Sequence, residues 1–243
     1  MELPEIIEKY REKLEKTLRD TNEIIFSLEE TRPWESKLGG CPYLESLKDY
    51  PTGANGRPMI FIAQINLEEM PPLEDFPTKG IIQFFVEDSD LYGLEDKCKV
   101  CYIENISKDE DKLLKENPFR ENYQDMEPFD RPGKINFEKK QMVVSSSIEQ
   151  FGDVFVDEVT DEENDALYDV CDGAGSRVGG YPYFVQDEIP SYSDGCNVLL
   201  LQLDIDDECG IMFGDSGNCN FFISKEDLVK RDFSNVVYDW QCC

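Results

Sequence analysis

The acidic segment that begins at Asp204 has residue types and a spacing that could bind calcium. Asp204, Asp206 and Glu208 occupy alternate positions, and Asp215 is the twelfth residue counted from Asp204. Carboxylate oxygens at such positions are the ligands of a Ca²⁺ loop between two helices. The pattern departs from that loop at its sixth position, where Cys209 replaces the required glycine, and its predicted neighbours are strands. Calcium is therefore the cofactor that the sequence suggests, and a solvated acidic hairpin is the simpler interpretation.

Two glutamines, Gln64 and Gln202, interrupt apolar runs that we predict to be buried strands. A buried amide without partners costs about 1–3 kcal/mol, so both side chains must be hydrogen-bonded. In the simpler interpretation, each bonds to backbone or to the other glutamine across an interface. Alternatively, both line a polar ligand pocket between two halves of the fold.

The motif Gly-Gly-x-Pro-Tyr occurs twice, at residues 39–43 and 179–183. Gly179 and Gly180 could let backbone amides approach an anionic ligand, with Tyr183 beside them. The simpler interpretation is a tight turn, in which glycine supplies a positive φ and proline fixes the exit strand. The negative charge of the chain favours the turn, and no nucleotide-binding glycine motif is present.

Histidine and cysteine usage narrows the chemistry. The chain has nine cysteines and no histidine, which excludes Ser–His–Asp triads, Cys–His pairs and metal sites that contain histidine. Cys98 and Cys101 have the spacing of a metal or redox pair, and Cys242 and Cys243 could complete four sulfur ligands. Because a second CxxC is missing, we expect ordinary half-buried thiols, with the vicinal terminal pair prone to oxidation if exposed. The sequence gives no positive support for an enzyme.

The elements that position these residues follow from an internal duplication. Residues 36–43 (SKLGGCPY) and 176–183 (SRVGGYPY) are identical at five of eight positions. Further matches follow in the same order: 60–66 with 198–204, 80–85 with 217–222, and Asp90-Leu91 with Asp227-Leu228. Ordered blocks at near-constant spacing indicate two copies of one unit, at about 36–91 and 176–228.

The duplication predicts a fold class. The runs at 59–67 and 198–205 are apolar at nearly every position, so both faces of these strands should be buried. Two copies facing each other about a pseudo-two-fold axis can cover such strands, whereas one copy cannot. We therefore predict one domain over residues 1–243, mainly β (α+β) and roll-like, with peripheral helices. Residues 98–140 are predicted to connect the two copies, with one or two helical turns near Leu113 and an ordered but irregular segment over 117–140.

Local patterns place the remaining elements. Helical spacing predicts a helix from Pro4 to about Arg19. Capping signatures at Ser107, Thr160 and Ser224 predict helix starts. Further strands are predicted at 24–28, 80–86, 141–147, 154–156, 218–223 and 233–240.

Composition bounds the partners. With 53 acidic and 24 basic residues, the formal charge is −29. Such a field repels nucleic acid and anionic lipid, and it accelerates encounter with a basic protein or a cation. The N-terminus lacks the apolar segment of a signal peptide, and no stretch approaches the ~20 apolar residues of a membrane span. We therefore expect a cytoplasmic protein in a reducing compartment.

Nearly the whole chain, and the second copy most closely, resembles the YwqG-like proteins, a mostly bacterial family of uncharacterised function. The resemblance lies in the GGxPY turn, the LLLQLD strand, and residues 214–217 (GDSG), 221–223 (FFI), 227–228, 233 and 241–242. It implies a mainly β, roll-like fold with internal repeats, and it carries over no catalytic residue. Some relatives resemble components of toxin–immunity neighbourhoods. This chain has Phe213 where tryptophan is usual and Ser176 where histidine is common.

Three function hypotheses result. The first is an acidic, non-catalytic protein that docks a basic partner, in its most concrete version an immunity-type inhibitor of a cationic toxin. The alternative is a small-ligand or metal-dependent activity in a cleft between the two copies, where Gln64, Gln202 and the loop carboxylates would converge. The third is a structural role in a homo-oligomer.

Overall fold

The computed structural model describes residues 2–89, 92–93, 98–123, 127–155 and 159–243. In this part of the chain, the strands are β1 Arg19–Ser27, β2 Lys37–Leu38, β3 Ile60–Asn66, β4 Ile81–Val86, β5 Cys98–Ile103, β6 Gly133–Met142, β7 Arg177–Gly179, β8 Val198–Leu203, β9 Asn218–Ile223 and β10 Val237–Gln241. The α-helices are α1 Arg11–Glu15, α2 Glu149–Val154, α3 Asp161–Val170, α4 Pro190–Ser193 and α5 Lys225–Lys230. Short 3-10 turns span Glu5–Tyr10, Leu47–Asp49, Glu110–Lys112 and Arg120–Asn122.

The strands form one antiparallel sheet in the order β10-β9-β8-β7-β1-β6-β2-β3-β4-β5. The central pair, β1 and β6, is the longest ladder, and four strands follow on each side of it. We call these two groups, β2 to β5 and β7 to β10, the flanks of the sheet. The two outermost strands approach each other: the Cys98 thiol donates to the Val236 carbonyl at 3.6 Å, and the Tyr102 and Phe233 rings are 5.5 Å apart. The sheet is therefore nearly closed and barrel-like.

One apolar cluster fills the concave side of this sheet and contains side chains from both flanks. Phe84 of β4 contacts Phe221 of β9, with ring centroids 4.9 Å apart. Cys209, Ile211 and Phe213 belong to the same cluster. Because such contacts join distant parts of the chain, the interior depends on both flanks being folded.

The outer faces are covered by different segments on the two flanks. Over β3 and β4, Tyr50, Leu114 and Phe119 pack on Phe61 and Phe85. Over β8 and β9, the N-terminal helical segment packs on Leu199 and Phe222 together with side chains from later in the chain, such as Leu167 and Tyr192. All of β3, and all of β8 except half-buried Val198, is buried, so the prediction of strands covered on both faces is confirmed.

The connector predicted over residues 98–140 contains two strands of the sheet, of which the first was not predicted and the second replaces the irregular segment expected up to residue 140. β5 opens this region, and β6 closes it with a long ladder to β1. The alternation in β6 is hard to read because its outer face is solvated and carries Lys and Glu. Between the strands, an irregular segment is anchored by Tyr123, whose hydroxyl lies 2.7 Å from the Tyr50 hydroxyl.

Several predicted boundaries also need correction. The N-terminal helix is a 3-10 turn followed by one short helix, and β1 already begins at Arg19. The strand predicted at 141–147 ends at Met142 as part of β6. Of the strand predicted at 154–156, Val154 is the last residue of α2 and Phe155 follows that helix. Val156 lies outside the described residues, as do Asp90 and Leu91. The closing strand starts at Val237, later than predicted.

The three capping signatures have different outcomes. Thr160 and Glu163 form the predicted capping box of α3, and the Ser224 hydroxyl caps α5. At the third, the 3-10 turn begins after Asp109, and the Ser107 hydroxyl accepts a bond from the Asp109 amide at 3.2 Å. In the part of the chain that the structure describes, no helix has the length and apolarity to cross a membrane.

Candidate functional site

Gln64 is fully buried on the outer face of β3, and both the nitrogen and the oxygen of its side-chain amide form hydrogen bonds. Its Nε2 donates to the carbonyls of Pro33 and Glu35, both at 2.8 Å. Its Oε1 accepts from the Tyr43 amide at 2.8 Å. Gln64 therefore fastens the segment before β2 and the turn after it onto β3.

Gln202 makes the same set of bonds on β8. Its Nε2 donates to the carbonyls of Gly173 and Gly175, at 2.9 and 2.7 Å. Its Oε1 accepts from the Tyr183 amide at 2.7 Å. The two glutamines each bond within their own flank, so the structure does not bring them together at one ligand pocket.

The serine that opens each predicted copy has a matched role as well. The Ser36 hydroxyl accepts from the Asn66 amide, and the Ser176 hydroxyl accepts from the Asp204 amide, both at 2.9 Å. Both strands also carry a register shift just before the glutamine, between Phe61 and Ala63 in β3 and between Leu199 and Leu201 in β8. The same local construction thus occurs at two places in the sheet.

The glycine pair at the end of β7 is required by backbone conformation and packing. Gly179 and Gly180 have φ of +74° and +73°. A Cβ at Gly179 would lie 2.7 Å from Leu73 Cδ1, and one at Gly180 would lie 2.6 Å from Met142 Sδ. These contacts favour the tight-turn interpretation, in which a side chain at either position would force its neighbours to move.

A groove of about 470 Å³ runs beside this turn. Arg19, Asp75 and Lys225 contribute charged groups to its wall, and Lys225 is paired with Asp75 at 2.7 Å. Tyr183 does not line this groove; its backbone lies over the Gln202 amide. Ligand binding at the glycine turn stays a prediction.

Two of the four carboxylates assigned to calcium accept hydrogen bonds from backbone amides. Asp204 is buried, and its two oxygens accept from the amides of Gly175 at 2.6 Å and Ile205 at 2.9 Å. Asp206 accepts from the Cys209 amide at 2.8 Å, while Glu208 and Asp215 are exposed. Among the described residues, no three or more His, Cys, Asp or Glu side chains form a group that could hold a metal ion.

The cysteine pair at 98 and 101 is divided by the sheet. Both residues lie on β5, and residues three apart in a strand point to opposite faces. Cys98 packs against the interior cluster, whereas Cys101 packs against the outer cluster around Phe61 and Phe85. The two sulfurs therefore cannot chelate one ion. None of the nine cysteines, all of which lie in the described part of the chain, forms a disulfide, and Cys243 is the exposed one.

Two buried cations occupy matched positions that sequence reasoning missed. Lys37 pairs with Gln64 in the β2–β3 ladder, and Arg177 pairs with Gln202 in the β7–β8 ladder. Lys37 Nζ donates to the Arg32 carbonyl at 2.7 Å, and burial lowers the pKa of Lys37 to about 8. Burial also lowers the pKa of Arg177, which donates to the carbonyls of Ala174 and Tyr181.

The charge of the surface is unevenly distributed along the chain. Residues 141–224 contain 18 acidic residues and one basic residue, the buried Arg177. The acidic side chains of α2 and α3 extend from a surface that also presents Tyr168, which is 49% exposed. A count of charge by segment would have revealed this asymmetry from the sequence. We call the exposed part of α2 and α3 the acidic face; it comprises Glu149, Asp153, Asp161, Glu162, Asp165, Tyr168 and Asp169.

The acidic face has few internal countercharges. Lys9 lies 2.6 Å from Glu163, at the buried edge of α3. In the structure as described, the exposed carboxylates of Asp161, Glu162, Asp165 and Asp169 form no ion pair with a cationic side chain. The face is thus a uniformly negative surface with an aromatic ring in it.

Comparison with known proteins gives one family. A family model described as a domain of unknown function (DUF1963) matches residues 36–242. The match begins at the first residue of the first predicted copy and includes both glutamines. A search of curated proteins found no match.

Proposed function

The chain belongs to the DUF1963 family, and from its own surface we propose that it is an acidic binding protein that docks a basic protein partner. The acidic face carries this proposal. Its exposed carboxylates are concentrated on α2 and α3, where no lysine or arginine accompanies them. Such an arrangement makes the local electrostatic potential more negative and accelerates association with a cationic surface.

The composition of the face also fits a protein interface. Tyr168 contacts Phe151 with ring centroids 5.3 Å apart, so the exposed ring rests on the outer apolar cluster. A supported aromatic side chain surrounded by polar groups is a common anchor of protein interfaces. The concrete version of the proposal is an immunity-type inhibitor that covers the cationic surface of a toxin.

The experiment compares two variants with equal net charge. In the first, Asp161, Glu162, Asp165 and Asp169 are changed to their amides, which neutralises α3. In the second, Glu30, Glu110, Asp111 and Glu116, all exposed and outside the acidic face, are changed in the same way. Each immobilised protein is used to capture partners from lysate at low and at high salt, with an unrelated basic protein as competitor.

We expect the wild-type chain and the second variant to capture the same basic partner, and the α3 variant to lose it. Capture should also weaken as salt rises, because screening reduces the attraction between exposed charges. Thermal unfolding of both variants verifies that they are folded. Equal capture by both variants, or capture of no basic partner by the wild type, would contradict the proposal.

We also infer an internal duplication, with one copy on each flank of the central strands. The supporting observations are the sheet order, in which β2 to β5 and β7 to β10 run outward from the centre in the same sequence, and the matched bonds of Gln64 and Gln202. We also propose that the chain is a YwqG-like protein and that it is located in the cytoplasm.

The alternative, a ligand cleft between the copies, has less support. The surfaces that the flanks turn toward each other are apolar and packed, as the contact of Phe84 with Phe221 illustrates. The glutamines that were expected to converge in a cleft are occupied by backbone partners. A scaffold role in a homo-oligomer stays a prediction that gel filtration can address.

A further inference from the structure

The outer face of β9 carries two buried asparagines whose oxygens have no partner. Asn218 and Asn220 are both fully buried. Their Nδ2 atoms donate to one acceptor, the Tyr183 carbonyl, at 2.9 and 3.2 Å. Their Oδ1 atoms receive no hydrogen bond among the described residues. A buried carbonyl oxygen without a donor is costly, so each such atom in a folded protein needs an explanation.

The register of the sheet places other oxygen-bearing groups beside these amides. Asn220 lies opposite Gln202 on β8 and opposite Asp239 on β10. Directly opposed residues of antiparallel strands point to the same face, with Cβ atoms about 4.5–5.5 Å apart. Asp204 is the first residue after β8, and extending the β8–β9 register by one pair places it opposite Asn218. Asp204 is also buried. The two asparagines therefore have a carboxylate-bearing residue next to each of them in the sheet, Asp239 beside Asn220 and Asp204 beside Asn218.

The corresponding positions on the other flank lack these groups. Gln83 of β4 occupies the position of Asn220 and donates to the Tyr43 carbonyl at 2.9 Å, just as Asn220 donates to the Tyr183 carbonyl. Its neighbour on β5 is Cys101, where β10 has Asp239. Ile81 lies at the start of β4, where β9 has Asn218. The oxygen cluster is therefore particular to the β8–β10 flank.

We propose that Asn218, Asn220 and Asp239 form a binding site for a hard divalent cation. Amide and carboxylate oxygens are the ligands that Ca²⁺ and Mg²⁺ prefer, and Ca²⁺ accepts irregular sets of them. The cation would satisfy the two orphan oxygens and offset the surrounding negative charge. It would also join the edge strand β10 to the segment around Tyr183. This site lies on the sheet and is distinct from the exposed loop that contains Asp206, Glu208 and Asp215.

The test is calorimetric titration of chelator-treated protein with CaCl₂ and with MgCl₂ in a potassium chloride buffer. We expect one saturable site in the wild-type protein. Asn220→Leu, a replacement of similar shape, and Asp239→Asn should each weaken binding by roughly tenfold or more, since even outer partners of metal ligands contribute that much. The double variant Asp206→Asn/Glu208→Gln should bind like the wild type.

Unfolding measurements distinguish loss of the site from loss of the fold. Without metal, Asn220→Leu should be at least as stable as the wild type, because it removes an orphan oxygen while Asn218 still bonds Tyr183. With metal, the wild type should gain thermal stability and Asn220→Leu should not. Absence of saturable binding by the wild type, which would mean that water fills the site, would overturn the proposal. Loss of binding in the loop variant but not in Asn220→Leu would overturn it as well.

Discussion

At the scale of single residues, the clearest chemical consequence of the fold is the burial of Lys37. Its side chain is 4% exposed, and its ammonium donates to the Arg32 carbonyl. Charged groups lose hydration when buried, which lowers the pKa of Lys37 to about 8. Arg177 occupies the equivalent position on the other flank and stays charged because guanidinium does not lose its proton in proteins. Of the two matched cations, only Lys37 should therefore lose its proton in the alkaline range.

Lys37 should make the stability of the protein depend on alkaline pH. The folded-state pKa lies below the unfolded value of about 10.4, so the unfolded chain binds more protons between these values. Relative to a Lys37→Met variant, the wild-type free energy of unfolding should therefore be lowest below about pH 8 and should rise toward about pH 10.5. Urea unfolding of both proteins at several pH values measures the difference.

Lys16→Met is the control for this prediction, because it removes a lysine at an exposed site. The pH dependence for Lys37→Met should exceed that for the control. A difference between the wild type and Lys37→Met that stays constant from about pH 7 to pH 11 would contradict the expected titration.

At the scale of elements, each buried glutamine bonds its own strand to the chain segments that precede and follow the adjacent short strand. Gln64 of β3 does so around β2, and Gln202 of β8 does so around β7. Gln202→Leu would leave the Tyr183 amide and the carbonyls of Gly173 and Gly175 without their partners. An unsatisfied buried group costs roughly 1–3 kcal/mol, so the free energy of unfolding should fall by at least that amount. Gln64→Leu should have a similar effect, since its bonds are of the same kind.

Denaturant unfolding measures both substitutions, and Gln141→Leu at an exposed position of β6 is the control. Because the three variants make the same chemical change, the comparison isolates the effect of the buried bonds. If Gln202→Leu is as stable as Gln141→Leu, the glutamine does not hold the strand to its neighbouring segments.

The elements also show how far local sequence patterns reach. The continuous apolar runs that became β3 and β8 were recognised because burial on both faces leaves a signal in every residue. β6 was missed because its exposed lysines and glutamates conceal the alternation, and its strand conformation depends on the long ladder with β1. The same limit applied to Cys98 and Cys101, whose opposite orientations follow from a strand that the sequence did not predict.

The candidate sites were predictable to a similar extent. Gln64 and Gln202 were found because an amide in an apolar run is conspicuous, but their partners come from loops whose course the sequence does not specify. The cluster around Asn220 could not be found from spacing. Asp239 comes beside it through the β9–β10 register, and the orphan oxygens appear only once the Tyr183 segment is placed over the strand.

At the scale of the whole molecule, the concentration of negative charge on one part of the chain coexists with an interior shared by both flanks. Charge repulsion destabilises a compact state, so the interior must offset it. The interior cluster joins side chains that are far apart in the sequence, such as Ile62, Leu201 and Phe221. The two flanks should therefore unfold together, although each has its own outer cluster.

A double-mutant cycle on Phe84 and Phe221 tests this cooperativity. Their rings meet at 4.9 Å across the interior, one from each flank. Aromatic pairs contribute about 0.5–1.5 kcal/mol beyond the area that they bury, so the effects of Phe84→Leu and Phe221→Leu on the free energy of unfolding should be non-additive by roughly this amount. The control pair is Phe84→Leu with Phe151→Leu, because Phe151 lies in the outer cluster over β8 and β9. The effects of these two substitutions on the free energy of unfolding should add within about 0.5 kcal/mol. A second measurement is the number of unfolding transitions, which should be one for every variant by both fluorescence and circular dichroism. Two separate transitions would mean that the flanks have independent interiors. Additive effects for the Phe84 and Phe221 pair would mean the same, and the single barrel-like sheet would then not be the unit that unfolds.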